Sequence, residues 1–186
     1  MKKDLLLFPI LFIALGIIIL IGLEAQESAY VGVNKCKTCH KSVKSGNQYG
    51  KWKESAHTKG FQSLTTDAAL KIAEKAGLTA SPSESDECLV CHSPYALSAP
   101  KFKEDGVGCE ACHGPGRKYK GMSIMKDRDL AKEKGLVLLD TDEAKETFCA
   151  KCHKVDNPYH EVKEFCLQEF WLKIVHLIPK RGSKKS

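Results

Sequence analysis

The residues best suited to chemistry in this chain are cysteine and histidine, which recur together in the spacing Cys-x-x-Cys-His. That pentapeptide occurs four times, as Cys36–His40, Cys88–His92, Cys109–His113 and Cys149–His153. In an exported protein this spacing is the attachment signature of haem c. The two thiols bond to the porphyrin vinyl groups, and the next residue supplies a neutral imidazole to the iron. The sequence therefore predicts four covalently bound haem c groups.

Each motif residue then has a predicted role. The thioether positions are Cys36, Cys39, Cys88, Cys91, Cys109, Cys112, Cys149 and Cys152. The proximal iron ligands are His40, His92, His113 and His153. Zinc or an iron–sulfur cluster is the alternative, because Cys-x-x-Cys pairs also bind these groups. Neither requires a histidine after every second cysteine. Histidine is only 7 of 186 residues, so four such placements arise by chance about once in 500,000.

The supply of sixth ligands is limited. Beyond the four motifs the chain has only His57, His160 and His176. Four bis-histidine irons would need one more, so at least one iron has another sixth ligand or is five-coordinate. His57 lies among apolar and aromatic neighbours, and His176 falls on a predicted apolar helix, which favours both as ligands. His160 follows an Asn-Pro-Tyr turn and is a ligand or an exposed turn residue. Met122 and Met125 are both core residues, or one of them is a thioether ligand to an iron.

The helical patterns are short and separated by long loops. From apolar spacing and capping residues we predict helices over Gln48–Leu64, Ala68–Ala76, Asp127–Lys134, Thr141–Cys149 and Val162–Ile178. Four haems in this length leave about 40 residues for each, so the cofactors must form much of the apolar core. We expect a mainly α fold with long loops, in one compact domain. Motifs two and three are close in sequence, which predicts adjacent haems. The ninth cysteine, Cys166, is expected to be a buried residue of the last helix.

The chain divides into four predicted segments. Residues 1–25 are a signal peptide or an N-terminal membrane anchor, since two lysines precede the apolar run 5–23. Residues 26–34 are a linker, residues 35–178 the haem-bearing domain, and residues 179–186 a basic tail. By the positive-inside rule the motifs lie on the periplasmic side of the bacterial cytoplasmic membrane, anchored or released. That is the compartment in which haem c is attached.

The net charge of the polypeptide alone does not indicate the protein's partners, because the haems change it. The formal net charge is +6, but each oxidised haem adds two propionates and a ferric centre of about +1. Four haems therefore lower the net charge by about 4. The holoprotein is then nearly neutral, and a nucleic-acid partner is not expected. The lysines are a solvated surface or steer a redox partner.

Three stretches around the motifs resemble the tetrahaem cytochrome c-554 family of bacterial electron carriers. They are Cys36–His40 followed by Trp52–His57, then Asp86–Cys88, and above all Gly106–Arg117. The similarity covers roughly Val33 to His153. It implies a mostly helical tetrahaem cytochrome c fold with haems packed in close pairs.

The resemblance also implies ligand pairs. By analogy with the family, His57 would ligate the third haem, whose proximal ligand is His113. A histidine of the C-terminal helix, here His176, would ligate the fourth haem opposite His153. The second haem, on His92, would be able to lack a strong sixth ligand.

The chain departs from the family after the third motif. The family has a histidine shortly after the Gly-Pro-Gly stretch, as sixth ligand to the first haem. This chain has Lys120–Met125 at that place. Met122 or Met125 is therefore the expected substitute.

These features predict electron transfer rather than catalysis. The expected role is to pass electrons from a membrane or periplasmic donor to a terminal reductase or another carrier. The alternative is a haem enzyme that acts on a small nitrogen oxide or hydroxylamine at a five-coordinate haem. No acid–base cluster stands out beside the second motif, which favours the carrier.

Overall fold

The computed structural model describes residues 29–162 and 166–176. Within those ranges it contains ten α-helices, three 3-10 helices and no β-strand, which confirms the mainly helical prediction. The α-helices are α1 (Val33–His40), α2 (Gln48–Glu54), α3 (Gly60–Ser63), α4 (Asp67–Lys75), α5 (Asp86–His92), α6 (Cys109–His113), α7 (Met122–Met125), α8 (Arg128–Glu133), α9 (Asp142–Cys149) and α10 (Leu167–Ile174). The 3-10 helices are Val43–Ser45, Ala56–Lys59 and Pro100–Asp105. Helices this short depend on tertiary contacts for their stability.

Several predicted segments lie outside the described residues. They are the signal peptide or anchor (1–25), the first three linker residues (26–28), positions 163–165 and 177–178 of the predicted domain, and the basic tail (179–186). In the part of the chain that is described, no helix has the length and apolar character needed to cross a membrane.

Three helices begin where the sequence predicts, because side-chain oxygens accept hydrogen bonds from otherwise unpaired backbone N–H groups. Thr66 Oγ1 accepts from the N–H of Ala69 at 3.2 Å and starts α4. Asp127 Oδ1 accepts two such bonds and starts α8. Thr141 Oγ1 accepts from the N–H of Ala144 at 3.1 Å and starts α9. These three predictions are confirmed to within a residue or two.

The prediction of one helix over 48–64 is wrong. The chain leaves α2 at Ser55, whose backbone is extended (φ −79°, ψ 161°) and whose hydroxyl bonds to the carbonyl of Trp52 at 2.7 Å. A 3-10 turn and α3 then follow as separate elements. The break matters because it turns the His57 carbonyl toward the loop before the third motif, where it accepts from the N–H of Val107 at 3.1 Å.

The last predicted helix is shorter than expected, and two inferences drawn from it are wrong. Helix α10 ends before Val175, which is extended (φ −57°, ψ 135°). His176 therefore lies just beyond the helix and not on it. Cys166 precedes α10, is exposed to solvent, and donates a weak hydrogen bond to Gln168 at 3.4 Å, so it is not a buried core residue.

The apolar core is small. Leu64, Leu89 and Ala96 form a buried cluster, against which Phe61 and Cys88 pack. This cluster joins α3 to α5 and so fixes the segment after His57 beneath the second motif.

Buried aromatic side chains hold the loop that leads into the third motif. Trp52 Nε1 donates to the carbonyl of Val107 at 2.8 Å. The Tyr95 hydroxyl donates to Asp105 at 3.2 Å, and its ring stacks on that of Tyr30 with 5.1 Å between centroids. Because buried polar atoms are costly without partners, these bonds select one path for the loop.

Candidate haem centre

The motif residues lie on single helical turns. In an α-helix, residues i, i+3 and i+4 share a face, so both thiols and the histidine point the same way. The first motif ends α1, the second ends α5 and the third forms α6. The fourth begins at the last residue of α9, and its turn continues because the N–H of His153 donates to the carbonyl of Cys149 at 3.0 Å. Each motif therefore presents two thiols and one imidazole to one side.

Two motif histidines are held in a defined tautomer. His113 Nδ1 lies 2.9 Å from the carbonyl of Val137. His92 Nδ1 lies 3.2 Å from the carbonyl of Gly60 and 3.0 Å from the hydroxyl of Ser63. A carbonyl only accepts, so Nδ1 carries the proton in both rings and Nε2 is left with its lone pair for a metal.

His40 is oriented by a side-chain amide. Its Nδ1 lies 3.2 Å from Gln48 Oε1. The other end of that amide, Nε2, donates to the carbonyl of Ser45 at 2.5 Å, which orients the amide with its oxygen toward the imidazole. His40 Nε2 is therefore also available to a metal.

Each of the three histidines outside the motifs faces a motif histidine. The pairs are His57 with His153 (6.2 Å between ring centroids), His92 with His160 (6.0 Å) and His113 with His176 (5.7 Å). Two imidazoles bound to opposite sides of one metal ion have centroids about 6.4 Å apart, from metal–nitrogen bonds of about 2.0–2.1 Å and a further ~1.1 Å to each ring centre. The observed separations agree with that spacing within about 0.7 Å.

The partners differ from those that the family resemblance implies. His57 faces His153 and not His113, while His176 faces His113 and not His153. Relative to the resemblance, His57 and His176 are exchanged between the third and fourth motifs. Residue spacing along one helix gives no information on such long-range contacts.

The second motif also has a histidine opposite it. His160 is exposed and lies in a turn in which Asn157 Oδ1 accepts from its backbone N–H at 3.2 Å. Its Nδ1 lies 3.0 Å from the carbonyl of Glu161, which leaves Nε2 for the side that faces His92. The resemblance implied that this position can lack a strong ligand, whereas the structure brings an imidazole to it.

Burial favours the neutral form of five of the seven imidazoles, which is the form that binds a metal. Removal from water lowers the pKa of His57, His92, His113 and His153. For His176 burial and the neighbouring imidazoles together lower the pKa to about 4. His176 Nδ1 is in addition buried and meets no hydrogen-bond partner among the described residues. A neutral imidazole nitrogen that is buried without a hydrogen-bond partner keeps its lone pair for a metal. The residues present therefore fit an iron porphyrin.

The thiols show which motifs are neighbours. Cys109 lies near Cys36, Cys149 near Cys112 and Cys91 near Cys152, since the first thiol of each pair raises the pKa of the second. These neighbours order the motifs as one, three, four, two. The third motif thus has the first and fourth as its neighbours, although the second motif is closer to it in sequence.

The two candidate methionine ligands differ in exposure. Both belong to α7, but the Met122 side chain is 66% exposed whereas Met125 is partly buried. A ligand to an enclosed iron has to be buried with it, so Met125 is the better placed of the two. Within the described residues, no group of three or more His, Cys, Asp or Glu side chains is arranged to hold a metal ion.

A buried carboxylate supports the third motif, and reasoning from the sequence did not identify it. Glu110 lies between Cys109 and Cys112 and is 3% exposed. Its oxygens accept from the backbone N–H groups of Val31 (3.0 Å), Gly32 (2.7 Å) and Gly116 (2.6 Å). It thereby ties the segment before α1 to the loop after α6. The only sequence signal is an acid at a variable motif position followed by a glycine-rich turn.

Comparisons with known proteins find related cytochromes. The family model described as "Cytochrome c554 and c-prime" matches residues 35–114. Cytochrome c-554 of Nitrosomonas europaea is 31% identical over an alignment of 144 residues, and the match covers 69% of this chain and 59% of that protein. The chain therefore spans about three fifths of the length of this relative. No solved structure matches.

Proposed function

We propose that this member of the cytochrome c-554 family is a multihaem c-type cytochrome that carries electrons. The observation that carries this proposal is the set of three histidine pairs with centroids 5.7–6.2 Å apart, each containing a motif histidine. Structural zinc would not need a second imidazole opposite a motif histidine at this spacing.

The proposed cofactors are four covalently bound haem c groups. The thiols of each motif bind one porphyrin, and the histidine after them binds its iron. The sixth ligands are His57 at the fourth motif, His160 at the second and His176 at the third. When bound, each group supplies an iron that is reversibly oxidised and reduced by one electron.

The polypeptide keeps the ligands in place during that change. His113 is bound to Val137 twice, through Nδ1 to the carbonyl (2.9 Å) and through its own carbonyl to the N–H (3.0 Å). His92 is held by Gly60 and Ser63, where a side chain on Gly60 would lie only 2.5 Å from the His92 carbonyl. Ligands held by the backbone move little between oxidation states, which favours rapid transfer.

The thiol contacts support a route along the motifs in the order one, three, four, two. Porphyrins bonded to neighbouring thiols would lie close enough to exchange electrons. The first and second motifs would then be the ends of the route, where donor and acceptor dock.

The first motif, at one end of this route, lies in a strongly basic stretch of the chain. Between positions 35 and 53 there are six lysines and no acidic residue. Of these, Lys35, Lys41, Lys44 and Lys53 are exposed. A positive surface steers an acidic partner and raises its association rate. We propose that an acidic redox protein docks here, on the periplasmic side of the membrane, and that the chain passes electrons between a membrane or periplasmic donor and a reductase or another carrier. The proposal assigns no catalytic role to any side chain.

Haem content and electron exchange test this proposal in turn. Mass spectrometry of the exported protein is expected to show four haems. The Cys149→Ser/Cys152→Ser variant is expected to carry three, and Cys166→Ser, the matched control outside every motif, four. Reduction by an acidic electron-transfer protein in stopped flow is expected to slow as salt is added. A wild-type protein without haem, or haems that do not exchange electrons with one another, would contradict the proposal.

A further inference from the structure

One motif histidine has no histidine opposite it. All seven histidines of the chain lie within the described residues. The three outside the motifs face His92, His113 and His153 at 5.7–6.2 Å. His40 is close enough to His113 and His176 to lower their pKa, but His176 forms its ring contact with His113. The histidine supply is thus used up at the other three motifs.

The proximal side of His40 is nevertheless built like that of a metal ligand. Gln48 Oε1 accepts from Nδ1, and Ser45 holds the amide in that orientation. This arrangement makes the imidazole more basic and fixes its plane. The first motif therefore provides a firm ligand on one side of its iron and no imidazole on the other.

The first motif is also the most accessible of the four. Cys39 is exposed to solvent, whereas the other seven motif cysteines are partly buried. Its neighbours Thr38 and Lys41 are exposed as well. The first motif is therefore the one that the described residues cover least.

We propose that the haem held by Cys36 and Cys39 binds a neutral diatomic ligand, such as carbon monoxide or nitric oxide, on the side opposite His40 when its iron is ferrous. The inference rests on the haem attachment proposed above. It places the reactive position at the first motif, and not at the second, where His160 faces His92. Ligation of this iron by Met125 is the competing arrangement, and it would block the binding.

Ligand counting is the first part of the test. The purified holoprotein is reduced with dithionite and titrated with carbon monoxide, with the haem count known from mass spectrometry. We expect one equivalent per chain for wild type and two for His160→Ala, which opens the second motif. No binding to wild type would overturn the proposal, as would a count that stays at one in His160→Ala. A haem count below four would instead tell against the function proposed above.

The second part locates the binding haem. The iron–histidine stretching band in the resonance Raman spectrum of the reduced protein comes from five-coordinate haem, and it follows the strength of the hydrogen bond at Nδ1. We expect Gln48→Leu to move this band to lower frequency and Gln48→Glu to move it higher. Ser63→Ala, which weakens the corresponding contact of His92, is the matched control and is expected to leave it in place. A shift in Ser63→Ala, or no shift in either Gln48 variant, would overturn the assignment to His40.

Discussion

The strongest prediction concerns the buried carboxylate of Glu110. Replacing it with alanine leaves the backbone N–H groups of Val31, Gly32 and Gly116 without their acceptor. Hydrogen bonds to a charged group stabilise by about 1.5–3 kcal/mol each. Water partly replaces the bond at Val31, which is only half-buried, so we expect a total loss of about 3–5 kcal/mol. A typical domain is stable by only about 5–15 kcal/mol in total, so this loss would remove a large part of its stability.

Glu110→Gln separates shape from charge. Glutamine fills the same space and keeps one oxygen for the N–H of Gly116. Its amide NH2 then meets the N–H of Gly32, where two donors face each other. We expect a loss of about 2 kcal/mol, between wild type and alanine.

Guanidinium unfolding of the holoprotein, followed by circular dichroism and the haem absorbance, measures both effects. With a slope of about 4 kcal/mol per molar, the alanine variant is expected to unfold at a concentration about 1 M lower than wild type. Glu133→Ala is the control, because that side chain is 68% exposed and forms a surface ion pair with Lys134. We expect the stability of this variant to lie within about 0.5 kcal/mol of wild type. A Glu110→Ala loss below about 1 kcal/mol, with haem content unchanged, would refute the role of Glu110.

Three further changes test the local structure by the same unfolding measurement. Trp52→Phe removes the 2.8 Å bond to the carbonyl of Val107 and is expected to lose about 1–2 kcal/mol. Gly108→Ala places a methyl group against the Tyr95 hydroxyl and is expected to lose about 1–3 kcal/mol by overpacking. Thr141→Ala removes the cap of α9, the helix that leads into the fourth motif, and is expected to lose about 1 kcal/mol.

The glycine and threonine changes each have a matched control. Gly121→Ala is expected to be nearly neutral, because its Cβ would have no neighbour closer than 3.7 Å and its φ is −63°. Thr141→Ser keeps the capping oxygen and is expected to retain most of the stability. A Gly108→Ala protein as stable as Gly121→Ala would show that the loop before the third motif relaxes. A Thr141→Ser protein as unstable as Thr141→Ala would show that the threonine methyl, and not the cap, stabilises α9.

Local patterns were predicted well wherever one turn of helix contains the whole signal. The capped starts of α4, α8 and α9 were identified because the oxygen and the N–H groups it satisfies lie within three residues of each other. The same applies to the motifs, whose thiols and histidine share one helical face. The segment 48–64 was misjudged because Ser55 satisfies its polar groups locally, which periodicity does not reveal.

The number of motifs, the histidine that ends each of them and the count of only three further histidines were determined by the sequence alone, since they depend only on residue type and local spacing. Tertiary structure decided which histidines face each other, that His40 is the one without a histidine opposite it, and that Glu110 ties two distant segments together. These contacts join residues far apart in the chain. They depend on where helices break and how loops cross, and no local pattern records that path.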